Sequence, residues 1–187
     1  MLGHAALLLF NETSSTEISD GVTSVKTGFF LNNHKTPLLF VGSNCAIQGF
    51  DHEGNERYWN ITSDNVLSIL LIDIDEDDSF ELLAGCEDGQ ILVFKDDSIM
   101  YEIETHSPVV AMCSFGIRYF GFALRNGAFG CYHKNQLSLQ QKHKDQVVGI
   151  CGVFYDPKPS ENALVIGFRD GIVETRNYMT GMLQSKV

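Results

Sequence analysis

Apolar residues in this chain arrive in short bursts of strand length. Leu38-Leu39-Phe40-Val41, Leu82-Leu83-Ala84, Phe120-Gly121-Phe122-Ala123 and Leu164-Val165-Ile166 each lead into a polar break and then a second apolar run. β-branched and aromatic residues dominate these runs, which is the composition of strands. No stretch of a dozen residues free of Gly and β-branched residues carries apolar positions at i, i+3, i+4 and i+7, so the pattern predicts an almost wholly β structure.

The bursts also repeat. Aligned on Gly42, Gly85, Ala123 and Gly167, the units recur 43, 38 and 44 residues apart. That period is the length of one four-stranded propeller blade. Asp88-Gly89, Asn126-Gly127 and Asp170-Gly171 separate the two runs of the later units and read as hairpin turns of type I′, where glycine supplies the positive φ. Gly85 and Gly167 are grouped with these turn residues. The first unit carries Cys45-Ala46 instead, so its turn must differ or be looser. After each hairpin comes an alternating, half-covered strand: Arg57-Tyr58-Trp59-Asn60-Ile61, Ile99-Met100-Tyr101-Glu102-Ile103 and Gln136-Leu137-Ser138-Leu139. The next bursts, at 66–71, 109–112 and 147–150, lack alternation and read as buried inner strands lining the propeller axis.

The expected fold is therefore all-β, an incomplete β-propeller of about four blades of four-stranded antiparallel sheet. It forms a single partial propeller domain over 1–187, with blade-like repeats centred near 38–60, 81–103, 119–139 and 163–187. A closed propeller usually has more blades, so the chain reads as a fragment whose exposed blade edges fold poorly alone.

Charge narrows the range of partners. The formal net charge is −11, from 24 acidic against 13 basic residues. Clustered Lys and Arg are absent, which argues against a nucleic-acid partner and against an anionic-lipid patch. The run 5–10 is too short for a membrane span, so no direct membrane insertion is expected. Cys45, Cys86, Cys113, Cys131 and Cys151 are odd in number, lack any Cys-x-x-Cys and sit mostly in apolar runs, which indicates a reducing compartment. The sequons at Asn11 and Asn60 are discounted as chance matches.

Residues 42–54 (Gly-Ser-Asn-Cys-Ala-Ile-Gln-Gly-Phe-Asp-His-Glu-Gly), Ser63-Asp64-Asn65-Val66-Leu67-Ser68, the stretch 80–88, Val93-Phe94-Lys95-Asp96, 121–127 and Arg169-Asp170-Gly171 closely resemble the N-terminal propeller of the Bardet-Biedl syndrome 2 family. The resemblance runs from about residue 20 to 187. It implies a subunit of the BBSome, a coat-like complex that moves membrane proteins to and from cilia. The implied function is a non-enzymatic protein-interaction scaffold for ciliary trafficking. Other BBSome subunits are its implied partners, the Bardet-Biedl syndrome 7 protein above all. The implied location is cytoplasmic, at the cilium and its basal body, and at the ciliary membrane through the complex. One departure matters: family members carry Asp-x-Asp-x-Asp-Gly loops before a blade's apolar strand, whereas this chain reads Asp73-Ile74-Asp75-Glu76-Asp77-Asp78, without the Gly. A second such loop has decayed to 156–161.

The same loop is the one candidate ligand site. Asp73, Asp75 and Asp77 at alternating positions, with Glu81 eight residues after the first, resemble a calcium loop in which oxygen ligands wrap a hard cation. Asp78 must make the sharp turn that Gly normally makes. No cofactor other than Ca²⁺ is suggested. The commoner reading of such a run is a solvated acidic loop, and the rival function it supports is a calcium-binding extracellular propeller of the integrin type. Catalysis finds little support. The six histidines never fall in ligand spacing, the cysteines lie in apolar strands of an acidic protein, and neither a nucleophile elbow nor a phosphate loop occurs. Phe50, Tyr58, Trp59, Phe94 and Tyr132 read as inter-blade packing, with interface anchoring as the alternative.

Overall fold

The computed structural model describes residues 17, 18, 21–30, 36–115, 118–153 and 162–187. The runs 1–16 and 154–161 lie outside them, and with them the sequon at Asn11, the apolar run 5–10, His4 and the decayed acidic loop, as does His34.

Among the described residues, sixteen strands form four antiparallel sheets, each built in chain order. Blade one contains β1 (Ser24–Gly28), β2 (Leu38–Ser43), β3 (Ala46–Phe50) and β4 (Glu56–Ile61). Blade two contains β5 (Val66–Ile72), β6 (Glu81–Cys86), β7 (Gln90–Lys95) and β8 (Ser98–Glu104). Blade three contains β9 (Val109–Ser114), β10 (Tyr119–Leu124), β11 (Ala128–His133) and β12 (Gln136–Lys142), and blade four β13 (Val147–Val153), β14 (Ala163–Phe168), β15 (Val173–Asn177) and β16 (Leu183–Lys186). The first strands β1, β5, β9 and β13 touch in sequence from blade to blade, which puts them on the axial side of an incomplete four-bladed propeller. No helix occurs among the described residues.

Alternation along a strand explains why the middle strands read as continuous apolar runs. Successive side chains point to opposite faces, and an internal blade is covered on both. On β6, Leu82, Ala84 and Cys86 join the core shared with blade one, while Leu83 joins the core shared with blade three. On β7, Leu92 and Phe94 face blade one, and Ile91 and Val93 face blade three. Blade three repeats this: Phe120, Phe122 and Leu124 meet blade two, whereas Ala123, Phe129 and Cys131 meet blade four. In no blade is another strand more buried than the second. Of the first strands expected to be buried, β5 is largely so, whereas β9 and β13 are only partly buried.

Small residues set how closely the blades approach. A Cβ on Gly42 would lie 2.4 Å from Ser24 Oγ and 2.7 Å from Val66 Cγ1, and one on Gly85 would lie 2.4 Å from Ser68 Oγ and 2.7 Å from Val109 Cγ1. In both cases the serine belongs to the blade's own first strand and the valine to that of the next. The serines also bridge the gap, Ser24 Oγ donating to Val66 O at 3.1 Å and Ser68 Oγ to Val109 O at 3.0 Å. Gly85 and Gly167 are accordingly strand residues of β6 and β14 and not turn residues, which corrects their grouping with the turns.

The turns also differ from the expected type. Gly89, Gly127 and Gly171 have φ of +89, +87 and +88, but Asp88, Asn126 and Asp170 do not share the positive φ that a type I′ turn requires. Each glycine N–H instead donates to the carbonyl three residues back, on Cys86, Leu124 and Phe168. This is a turn followed by a left-handed glycine, as in a G1 bulge. The Asp or Asn acts through its side chain: Asp88 Oδ1 accepts from Gln90 N, Asn126 Oδ1 from Ala128 N and Asp170 Oδ1 from Ile172 N, at 3.0, 3.0 and 3.2 Å. The first unit's turn is shorter, not looser. Ser43 pairs with Ala46 across two residues, and Cys45 takes φ +54.

Between β3 and β4 the hairpin is organised by one carboxylate. Asp51 accepts from the backbone N–H of Glu53 and of Asn55, both at 2.9 Å, and from Arg57 Nε at 2.7 Å. Desolvation of this 8% exposed side chain works against ionisation, yet the Arg57 guanidinium and the Asn55 and Glu53 donors outweigh it and hold the carboxyl well below the usual carboxylate range. A depressed folded-state pKa stabilises the fold at pH above the ordinary 3.8, and that contribution is lost as pH falls from there toward the folded value. Asp51→Asn is therefore expected to lower the urea midpoint near neutrality, with the gap to the parent closing between about pH 5 and about pH 2. A gap that stays constant over that interval would show that the charge contributes nothing.

Candidate functional site

The acidic loop joins β5 to β6 on blade two. Its anchor is apolar: Ile74, 3% exposed, drops into the core between blades two and three and fixes the loop's base. Glu81, the first residue of β6, is fully buried, and its Oε2 accepts from Ile74 N at 2.7 Å. Asp73 Oδ1 accepts from Glu76 N at 2.6 Å and its Oδ2 from Asp78 N at 3.2 Å, so the first carboxylate folds the loop back on itself. Glu76 and Asp78 take φ of +63 and +65. Asp78 thus adopts the left-handed turn at the place where glycine would do so without steric cost.

The carboxylates converge. One oxygen each from Asp73, Asp75 and Glu81 lie within 4.8 Å of one another. Lys95, the last residue of β7, reaches into the group from below. Its Nζ donates to Asp75 Oδ2 at 2.5 Å and to Asp77 Oδ2 at 2.6 Å, and stands 3.6 Å from Glu81 Oε1. Hydrogen bonds to Asp75 and Asp77 push the Lys95 ammonium up in pKa, and the bond from Lys95 pulls Asp77 down. Burial pushes the Glu81 carboxyl up. Arg118, from just before β10, pairs with Glu76 and ties the loop to blade three.

Lys95 is the residue that sequence reasoning overlooked. The signal was available: with Asp88-Gly89 at the turn and Leu82 opposite Phe94, the next pair outward places Glu81 opposite Lys95. Among the described residues, the buried polar atoms without a hydrogen-bond partner include Glu81 Oε1, the Tyr101 hydroxyl and Arg118 Nε. Burial, with the charges of Glu81 and Asp75 close by, pushes the Tyr101 phenol up to about 12.

The remaining candidates resolve into structure. Burial pushes the thiols of Cys86, Cys113 and Cys131 up to about 12, the reverse of an activated nucleophile. All five cysteines are unpaired. His143 stacks on Phe168 and His133 on Tyr119. Phe50, Tyr58, Phe94 and Tyr132 are buried as inter-blade packing requires. Trp59 is the exception at 53% exposed, because on the outermost strand β4 Tyr58 turns inward and its neighbour must turn out. Asn60 Nδ2 donates to Asp97 O at 3.1 Å, so its side chain is engaged with blade two.

Comparison with known proteins points to one family. The family described as "Ciliary BBSome complex subunit 2, middle region" matches residues 68–176. The mouse protein named BBSome complex member BBS2 is 39% identical over 165 residues, covering 88% of this chain and 23% of that protein. Its human counterpart is 36% identical over 193 residues, covering 96% and 26%. The chain thus spans about a quarter of the length of the curated relatives it matches. Among solved structures, the N-terminal part of BBS1 in complex with ARL6 superposes with a TM-score of 0.73 at 17% identity, over 89% of this chain and 55% of that one. At that identity the likeness establishes the propeller fold.

Proposed function

The chain belongs to the family of the ciliary BBSome complex subunit 2, and from that premise we propose that it is part of a propeller that serves as a non-enzymatic protein-contact scaffold within such a complex. The family match over residues 68–176 carries this reading, and it displaces the extracellular integrin-type reading that the acidic loop and the two sequons had suggested. The relatives are named as complex members, which supports other BBSome subunits as partners and a ciliary association. The finer proposal, that the Bardet-Biedl syndrome 7 protein is the nearest partner, rests on the family resemblance.

The architecture suits a scaffold. Within the described residues, buried side chains are consumed by inter-blade packing, and ion pairs such as Arg118–Glu76 and Arg125–Glu87 tie blade to blade. Trp59 and Ile61 are more than half exposed on the face of blade one turned away from blade two, where a further blade or a partner would cover them. Large aromatics at such positions are typical anchors of protein interfaces.

The test is co-expression of the full-length protein with the Bardet-Biedl syndrome 7 protein. A stoichiometric complex that survives purification is the expected result. A well-folded protein that ignores this partner, and every other BBSome subunit supplied with it, would overturn the scaffold reading.

A further inference from the structure

From the carboxylate cluster of the β5–β6 loop we infer that this chain has a divalent-cation site of calcium type, formed by Asp73, Asp75 and Glu81 with Asp77 at its border, in which the Lys95 ammonium holds the ion's place and is displaced on binding. Cation binding at this loop does not depend on which partner the propeller meets.

Geometry is the first support. Ca²⁺ takes oxygen ligands at about 2.3–2.6 Å, so ligands on opposite sides of one ion stand up to about 5 Å apart. Oxygens of Asp73, Asp75 and Glu81 lie within 4.8 Å of one another. They come from alternating loop positions and the start of the following strand, and Asp73 is already fixed in orientation by the Glu76 and Asp78 N–H groups. Asp77 shares Lys95 with Asp75, so its carboxylate borders the same point.

The second support is an unsatisfied buried atom. Glu81 is fully buried, yet its Oε1 accepts no hydrogen bond, and Lys95 Nζ at 3.6 Å is too far to supply one. A buried carboxylate oxygen left in this state is costly. Its other oxygen is tied to Ile74 N, which leaves Oε1 turned toward Lys95.

Charge is the third. Three carboxylates face one ammonium, and Lys95 satisfies Asp75 and Asp77 while leaving Glu81 short. A divalent ion at the same point can bond several carboxylates at once. Lys95 is 30% exposed along its side chain, so its head can swing to solvent when the ion enters.

Tyr101 supplies the readout. It packs against the core that holds Ile74 at the loop's base, and a tyrosine so placed can sensitise a lanthanide that substitutes for Ca²⁺. The experiment titrates Tb³⁺ into the purified full-length protein with excitation of tyrosine, then displaces it with Ca²⁺, while calorimetry with CaCl₂ counts sites directly. Saturable emission from one site, reversed by Ca²⁺, is expected. Tyr101→Phe should lose most of the emission while leaving the Ca²⁺ stoichiometry intact. The exposed Asp75→Asn should weaken binding at least tenfold in a protein that remains folded by circular dichroism, and Lys95→Met should tighten it at least tenfold by removing the competitor. Absence of saturable binding in the parent protein overturns the inference, and so does binding that appears only in Lys95→Met, since the lysine would then be the loop's permanent cation.

Discussion

Replacing Gly85 by valine is expected to lower stability by about 3 kcal/mol, at the upper end of the usual cost of overpacking. The new Cβ would sit 2.4 Å from Ser68 Oγ and 2.7 and 2.9 Å from the Val109 side chain. The far end of a flexible chain could move aside, but these are a short hydroxyl and a β-branched residue on neighbouring first strands. Relief therefore requires breaking the Ser68–Val109 hydrogen bond and prising blade two from blade three near the axis. Gly167→Val, the same repeat position on blade four, is the control, because its Cβ would meet nothing within 4 Å in this chain. Urea midpoints measured side by side decide the matter. Equal losses at the two positions would sink the packing argument and leave only a general effect of substituting a strand glycine.

That contrast shows what was legible in the sequence and what was not. The repeat was legible because each blade must bury both faces of its middle strands, which forces continuous apolar runs such as 82–84 and 120–124 and spaces them by one blade. The glycines after the hairpins were legible as positions of positive φ. The turn type was not, since the sequence Asp-Gly serves both a type I′ turn and a turn closed by a left-handed glycine, and side-chain bonds from Asp88 and Asn126 select between them. β1 escaped notice altogether: Ser24-Val25-Lys26-Thr27-Gly28 is mostly exposed and carries no apolar run. Its polar Ser24 is instead used as a bridge to the next blade, a role visible only once first strands are seen side by side.

The candidate site divides in the same way. Its carboxylates could be read from local spacing, because neighbours in a loop converge within one turn of chain. Lys95 arrives from the end of a different strand, and Tyr101 from the one after it, so their presence depends on strand register. Register in this hairpin follows from the turn, and counting outward from Asp88-Gly89 recovers Glu81 opposite Lys95. Trp59 is harder. Which of two adjacent aromatics on an edge strand faces in is set by pairing with β3, where Gly49 lies opposite Tyr58 and makes room for its ring.

Phe122→Ala is expected to cost about 3–5 kcal/mol, as for other fully buried phenylalanines. The ring is 1% exposed, 5.3 Å from the Tyr132 ring centroid, and stands in the core that blades two and three share with Leu83, Val93 and Ile74. Little can collapse into the void, because these neighbours are held on paired strands and at the loop's base. Ile74 gives the substitution a local signature beyond its global cost. That residue anchors the acidic loop from the same core and donates its N–H to Glu81, so loosening the core should free the loop's base. Hydrogen exchange at the Ile74 amide is then expected to accelerate more than at Ile47, which belongs to the separate core between blades one and two. Phe122→Leu, which keeps most of the volume, should recover most of the loss in both measurements. A cost below about 1 kcal/mol, or equal acceleration at Ile74 and Ile47, would mean that the inter-blade cores do not act as separate units and that the acidic loop is held by its own hydrogen bonds alone.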